Sequence, residues 1–345
     1  MVAFGLRGCL TTFSILAMIG IIGRIHWDGG IRRSVVIDVK STASLPSNQA
    51  ERLAYMTFLT GTMADQSDIN LEHDRYFIAT RILGYQLMHQ AHTKTRADIP
   101  FVVLVTSDIP AIKQTRLRED GAIVIQVDYL RAKNNWIQGE MPEWRDVMTK
   151  LRAWELTQFS RVAFFDSDMI LNRCMDDVFQ DPGSSFVPSF PDRSIAEDEG
   201  RVPESYVLAT VGEVNPFHNY PPRAEKGDFK DENYFNAGFF LFAPDHDMFR
   251  HFTTLMELQG RFDPRYPEQN LLNYAYRREG KMPWQNINST WNIRFPSIQD
   301  KDAGVASLHD KFWSAHMDKR LQPYYDSVHW NMQYFFQLWD RAITA

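Results

Sequence analysis

Arg161-Val-Ala-Phe-Phe-Asp-Ser-Asp-Met-Ile-Leu171 is the stretch whose reading decides the fold. Its first half is an apolar run of Val, Ala and Phe, which reads as a buried strand. The run stops at Asp166 and Asp168, with Ser167 between them. Carboxylates are rarely buried unless they are paired or bound to a metal. A strand that delivers two of them to its carboxyl end puts charge where open α/β sheets bind ligands. Two hard oxygen ligands suit Mn²⁺ or Mg²⁺, with water and substrate phosphates filling the other positions. The triplet alone would serve equally well as a helix cap or a solvated loop; the strand before it favours the metal.

The chain has 345 residues, enough for one large α/β domain or two small ones. Its net charge of −6, without any basic block, argues against a nucleic-acid partner. The two cysteines, Cys9 and Cys174, predict no disulfide framework. Cys9 to Gly23 carries no charge and is flanked by Arg7 and Arg24. It is short for a membrane span, yet no small-x-small cleavage site follows it. Residues 1–27 therefore read as an uncleaved signal anchor, with a cleaved signal peptide as the alternative. Arg24, Arg32 and Arg33 follow the run, so charge bias alone would leave the large domain cytosolic. Residues 28–51 read as a polar stem, and 52–345 as a single catalytic domain. The sequon Asn288-Ser289-Thr290 lies among apolar and aromatic residues, a setting that predicts burial.

Along the chain, Leu53–Thr60 reads as a strand and Tyr76–Gln90 as a helix with Ile78, Ile82, Tyr85 and Met88 at helical spacing. Phe101–Thr106 and Ala122–Val127 read as strands around a short helix, Ile112–Glu119. This alternation predicts a Rossmann-like parallel sheet. No Gly-x-Gly-x-x-Gly follows the first strand, so a dinucleotide fingerprint is absent. Trp144–Ser160 reads as a helix whose stripe is Val147, Leu151, Trp154 and Gln158, with Lys150 beside it as a solvated charge. Phe186–Phe190 reads as a strand, 191–233 as a long irregular loop, and Phe235–Phe242 as an apolar strand entered through Asn236 and Gly238. Asp245–Leu258 follows as a helix capped by Asp245, then a helix Glu268–Tyr276 after Pro267. Gly304–Leu308 reads as a late strand ending at His309. Ser327–Ile343 reads as an aromatic-rich helix that could serve the core or a dimer.

These motifs, in this order, resemble glycosyltransferase family 8, whose best-known member is glycogenin. The resemblance rests on the Thr149–Asp168 helix and strand, Phe235-Asn-Ala-Gly-Phe-Phe-Leu-Phe242, Arg261-Phe-Asp-Pro264 with Glu268-Gln-Asn-Leu-Leu-Asn273, Leu308-His-Asp-Lys-Phe-Trp313 and Ala54–Thr60. It implies a GT-A fold: a Rossmann-like mixed sheet flanked by helices. It implies a metal-dependent, retaining hexosyltransferase that uses a UDP-sugar donor and a glycan, protein or lipid acceptor. By the resemblance, Asp166, Asp168 and His309 hold Mn²⁺ or Mg²⁺. Leu59, Thr60, Tyr76, Lys150, Ser167, Ala237, Gly238 and Lys311 join the two aspartates in binding the donor. Asn236, Glu268 and Gln269 face the sugar and acceptor, and Gly238 lets the backbone approach the ligand. It also implies a type II Golgi membrane protein, or a lumenal or secreted one after cleavage.

This sequence departs from the family in three places. His309 and Lys311 are more closely spaced, Glu268 stands where aspartate is usual, and the acidic residue before Asn-Ala-Gly is displaced, with Asp231 and Glu232 nearby. The 191–233 segment is longer than in glycogenin and is the candidate acceptor flap. Two other readings compete: a transferase-like domain that binds sugars or scaffolds without catalysis, and a haloacid-dehalogenase-type phosphohydrolase, for which Asp176-Asp177 come too early after the strand.

Overall fold

The apolar runs assemble around two strands. In the computed structural model, which describes residues 51–61, 71–314 and 318–344, β1 (Leu53–Leu59) lies parallel between β2 (Phe101–Val105) and β4 (Arg161–Phe165). The helices α1 (Arg75–Met88) and α2 (Ala111–Glu119) and the strand β3 (Ile123–Gln126) fall between these in the chain. After β4 come β5 (Met169–Leu171), β6 (Val187–Pro188), β7 (Ser205–Tyr206), β8 (Leu208–Thr210) and β9 (Phe239–Phe242). The rest is α3 (His246–Glu257), α4 (Pro267–Ala275), β10 (Gln285–Asn286), β11 (Asn292–Arg294), α5 (Ile298–Asp302), β12 (Ser307–His309) and α6 (Gln322–Thr344). The main sheet runs β10-β8-β9-β4-β1-β2-β3, with β9 antiparallel to β4 and β8. A smaller sheet, β11-β12-β5, stands beside it. This is the mixed α/β GT-A arrangement expected from the sequence. Strand order reverses between β1 and β4, so the crevice at their carboxyl ends is the natural ligand site.

Strand periodicity sorts the core. Met56 and Phe164 pack to one face with Trp154, Phe240 and Phe252, while Tyr55, Phe165 and Phe239 pack to the other against α1. Trp154 is fully buried, its ring 4.0 Å from Phe242 and 5.0 Å from Phe252. α6 buries Val328, Met332 and Phe336, so it closes the core, while Trp330, Tyr334 and Leu338 stay exposed. Residues 50–345 form one unit by backbone contacts. The expected anchor, 1–27, and the stem up to residue 50 lie outside the described residues; among the described residues no helix is long and apolar enough to cross a membrane.

Several elements differ from expectation. The helix expected over Trp144–Ser160 is a 3-10 helix over Val147–Glu155, preceded by a 3-10 turn at Pro142–Trp144. With three residues per turn, Val147, Lys150 and Ala153 share one face. That face is buried, so Lys150 is not a solvated charge but fully enclosed. Gln158 lies beyond the helix and is exposed. The strand expected over Phe186–Phe190 shrinks to the two residues of β6, because Phe186 and Phe190 point outward. The late strand starts at Ser307, since Gly304 takes the left-handed turn at φ +85°. The final helix starts five residues early, at Gln322.

The 191–233 segment is not a loop throughout. Leu208–Thr210 within it is a fully buried strand of the main sheet, sealed by β9 and β10. The apolar run Val207–Val211 was the missed signal. Its later part is pinned by His218, whose Nε2 lies 3.2 Å from Asp300 Oδ2 while Nδ1 meets Asn215 O at 2.8 Å. Burial alone would lower the His218 imidazole, but Asp300 and the Asn215 carbonyl outweigh it and raise its affinity for a proton. Burial would raise the Asp300 carboxyl, but His218 and Ser297 hold it below the usual range. The raised His218 contributes fully below its unfolded value of about 6.5 and fades as pH climbs through the folded value. The lowered Asp300 contributes above about 3.9 and fades as pH falls through its folded value. Hydrogen exchange of 215–228, corrected for intrinsic rate, is therefore expected to be slowest between those limits. His218→Gln should flatten the rise at high pH, and an unchanged profile would show that the pair does not pin the segment.

Candidate active site

Pairing of short strands gathers the site. β4 and β9 run antiparallel, and the ladder continues one step so that Asp166 N donates to Gly238 O at 2.6 Å. β5 and β12 are antiparallel with Met169 opposite His309, and Asp310 N donates to Asp168 O at 3.1 Å. Asp166, Asp168 and His309 thus converge from three elements, with one ligand atom from each lying within 4.8 Å of the others. Burial alone would raise the Asp168 carboxyl, but His309, 3.3 Å away, and Lys311 hold it below the usual range.

The buried Lys150 ammonium lies 2.8 Å from Asp166 Oδ1 and 3.1 Å from Glu268 Oε1. Burial alone would lower Lys150, but Asp166 and then Glu268 outweigh it and hold its affinity for the proton above the ordinary value. Lys150 therefore ties the end of β4 to the first turn of α4. There Gln269 Oε1 accepts from Asn236 Nδ2 at 2.9 Å and from Ala237 N at 3.0 Å, while Gln269 Nε2 donates to Tyr234 OH at 2.5 Å. Gln269 is thus held by three partners, and Asn236 by a second one, Gly238 N, which donates to its Oδ1 at 3.0 Å, as a preorganised site requires. Tyr76 stands on the other wall, 5.0 Å from the Trp313 ring. Burial first, then Asp168, Glu143 and Asp166, push its hydroxyl well up, so it stays a neutral donor.

Tyr76, Lys150, Asp166, Ser167, Asp168, Asn236, Glu268, Gln269, His309 and Lys311 line one cleft. Leu59, Thr60, Ala237 and Gly238 do not reach its wall; from β1 the wall is made by Phe58. Thr60 is buried, and its hydroxyl accepts from Thr106 at 3.1 Å. Gly238 serves the site differently from expectation. A Cβ there would lie 2.2 Å from His309 Cε1, so the missing side chain makes room for the imidazole rather than for a ligand. Gly238→Ala is expected to displace His309 and to weaken divalent-cation binding at least tenfold. Titration calorimetry with Mn²⁺ checks this, and unchanged affinity would contradict it.

Sequence reading missed Glu213, Lys230, Arg294, Trp144 and Tyr266, which also line the cleft. Glu213 lay hidden in the supposed loop. The acidic residue that reaches the cleft from ahead of Asn236 is Glu213, whereas Asp231 and Glu232 are exposed. Asn288, expected to be buried, is exposed, because its backbone N and side-chain Oδ1 form a surface turn with Asp181 and Thr290. The phosphohydrolase alternative finds no support: Asp176 is occupied by Tyr55 OH at 2.6 Å and Arg96 N at 2.7 Å, and neither Asp176 nor Asp177 lines the cleft.

No family model matches the chain. Two uncharacterized proteins of Schizosaccharomyces pombe do. One is 32% identical over 269 residues, covering 70% of this chain and 69% of the relative. The other is 30% identical over 275 residues, covering 70% of each. Galactinol synthase 3 of Arabidopsis thaliana is 24% identical over 312 residues, covering 81% of this chain and 85% of the relative. Glycogenin-1 of Caenorhabditis elegans is 23% identical over 252 residues, covering 70% of this chain and 48% of the relative. The chain belongs to the family of the two yeast proteins and is a glycosyltransferase. Among solved structures, the glycosyltransferase GlyE of Streptococcus pneumoniae aligns at a TM-score of 0.46 and 15% identity, covering 84% of this chain and 64% of that one. Mouse xyloside xylosyltransferase 1 aligns at 0.40 and 14%, covering 75% of this chain and 97% of that one.

The donor atoms of this transferase fit a hard divalent cation. Two carboxylates and an imidazole converge at the strand end, and His309 turns Nε2 toward them, 3.3 Å from Asp168 Oδ1.

Proposed function

We propose that this enzyme transfers a hexose from a UDP-sugar to a hydroxyl of a glycan, protein or lipid acceptor, with retention at the anomeric carbon and with Mn²⁺ or Mg²⁺ as cofactor. The observation that carries the reading is the convergence of Asp166, Asp168 and His309 beside the locked Asn236–Gln269 amides and Glu268. When bound, the cation supplies Lewis-acid stabilisation of the departing diphosphate. Lys311 adds a second positive group for the diphosphate, and Lys150 fixes Asp166. Tyr76 flanks the nucleoside, with Leu59 and Thr60 supporting that end from behind the wall. Asn236 and Gln269 hold the hexose.

The bond from the anomeric carbon to the diphosphate oxygen breaks, and UDP departs with the electron pair. A new bond forms from that carbon to the acceptor oxygen, whose proton passes to the leaving phosphate. Glu268, the residue before Gln269, is ion-paired with Lys150 and so is a poor nucleophile. That favours departure and attack on one face over a covalent intermediate. The uncharged run Cys9–Gly23 supports a membrane anchor, and the Golgi setting rests on the family resemblance. UDP binding measured with Mn²⁺ and with EDTA tests the reading. Mn²⁺-dependent affinity is expected, whereas equal binding under both conditions would favour a sugar-binding scaffold.

A further inference from the structure

The cleft holds a second polar constellation, away from the cation ligands. Glu213 is buried, and one of its carboxylate oxygens is ion-paired with Arg294, with Lys230 at 3.9 Å. Its other oxygen, Oε2, is buried and has no hydrogen-bond partner among the described residues. Glu213 is locked into the segment ahead of Asn236: its N donates to Tyr234 O at 3.2 Å, and Gly212 bridges to Phe235. Arg294 comes from β11, where it lies in register with His309 of the parallel strand β12. In-register residues of paired strands face the same side, so Arg294 shares the cleft face with the cation ligand. Its guanidinium is paired with Glu213 and lies 4.4 Å from the Phe295 ring centre. Phe295 sits at φ +57°, a left-handed conformation that a bulky residue rarely adopts and that sites keep where a neighbour must be held.

We infer that Arg294, held by Glu213, orients the acceptor, and that this acceptor is neutral and rich in hydroxyls. The assignment rests on the transferase function above. The cleft's four Lys or Arg side chains are matched by four Asp or Glu side chains, and a divalent cation answers the donor's diphosphate. No surplus positive charge is left for an anionic acceptor. The part-exposed guanidinium offers N–H donors to neighbouring hydroxyls, while its paired carboxylate cancels the charge that would draw an anion. Glu213 Oε2 is buried, so this carboxylate holds Arg294 rather than meeting the ligand. Arg294, a cleft-lining side chain, is about one-third exposed, at 32%, whereas Lys230 is more open, at 60%. Glu213 is a positioning residue in this scheme.

The test uses the full chain with its preferred UDP-sugar and Mn²⁺, and compares slow donor cleavage by water with transfer to added acceptors. Glucose, maltose and glucitol serve as neutral probes, and glucuronate and glucose 6-phosphate as anionic ones. Neutral probes are expected to be used in preference. In Arg294→Gln the ratio of transfer to water cleavage should fall by about tenfold to a hundredfold, mainly through a higher acceptor KM. Arg294→Lys should recover part of that loss, and Glu213→Gln should raise acceptor KM more than it lowers kcat. An unchanged ratio in both Arg294 variants would overturn the assignment. So would a preference for anionic probes that disappears in Arg294→Gln. No donor cleavage at all in the wild type would overturn the transferase function itself, and the subsite with it.

Discussion

Asp168→Asn is expected to lower UDP release from the donor by about a thousandfold, the scale of losing preorganised stabilisation of a leaving group. Asparagine keeps the size of the side chain and leaves the Asp310 N to Asp168 O backbone bond of 3.1 Å intact. The fold should survive, and unfolding in denaturant should show a midpoint close to wild type. What is lost is the anionic oxygen beside His309, which is 3.3 Å away in the protein. Mn²⁺ affinity should fall in parallel, because an amide oxygen is a far weaker ligand than a carboxylate for a hard cation. Activity within tenfold of wild type would mean that Asp168 does not hold the cofactor.

Lys150→Met should damage stability and activity together. Lys150 is 1% exposed and pairs with Asp166, which is 30% exposed, and Glu268, which is 12% exposed. Methionine fills the space but removes the charge, leaving two carboxylates facing each other. Removing one partner of a buried pair costs about 3–5 kcal/mol, and the partial exposure of Asp166 moves the expectation to the lower end, about 3 kcal/mol. The Lys150 value is raised in the folded state, so its contribution is complete below the unfolded value of about 10.4 and is lost only as pH rises through the folded one. The loss should therefore be the same at pH 6 and pH 8 in urea titrations. A loss that appeared only on one side of neutrality would point to a different group.

Much of the site was legible because its residues sit at the ends of strongly patterned strands. Arg161–Phe165 and Phe239–Phe242 are apolar enough to be read as buried; Asp166 follows the first directly, and Asn236 stands three residues ahead of the second. Lys150 was harder. Its side follows from an i+3 repeat, and a nine-residue window does not distinguish a 3-10 helix from an α-helix by apolar spacing. Glu213 and Arg294 were invisible for a different reason. Each is carried on or beside a strand of three residues, Leu208–Thr210 and Asn292–Arg294, too short for periodicity to register. Their partnership spans |i−j| of 81 and exists only once the two sheets are side by side. The role of Gly238 was likewise readable only from the position of His309.

The measurement that tests the central claim most directly is UDP release by the full chain across a panel of UDP-sugars, with Mn²⁺ or with EDTA and no added acceptor. Release from one donor, dependent on Mn²⁺ and lost in Asp168→Asn, is the predicted result. Absence of release from every donor, together with UDP binding indifferent to Mn²⁺, would contradict the account.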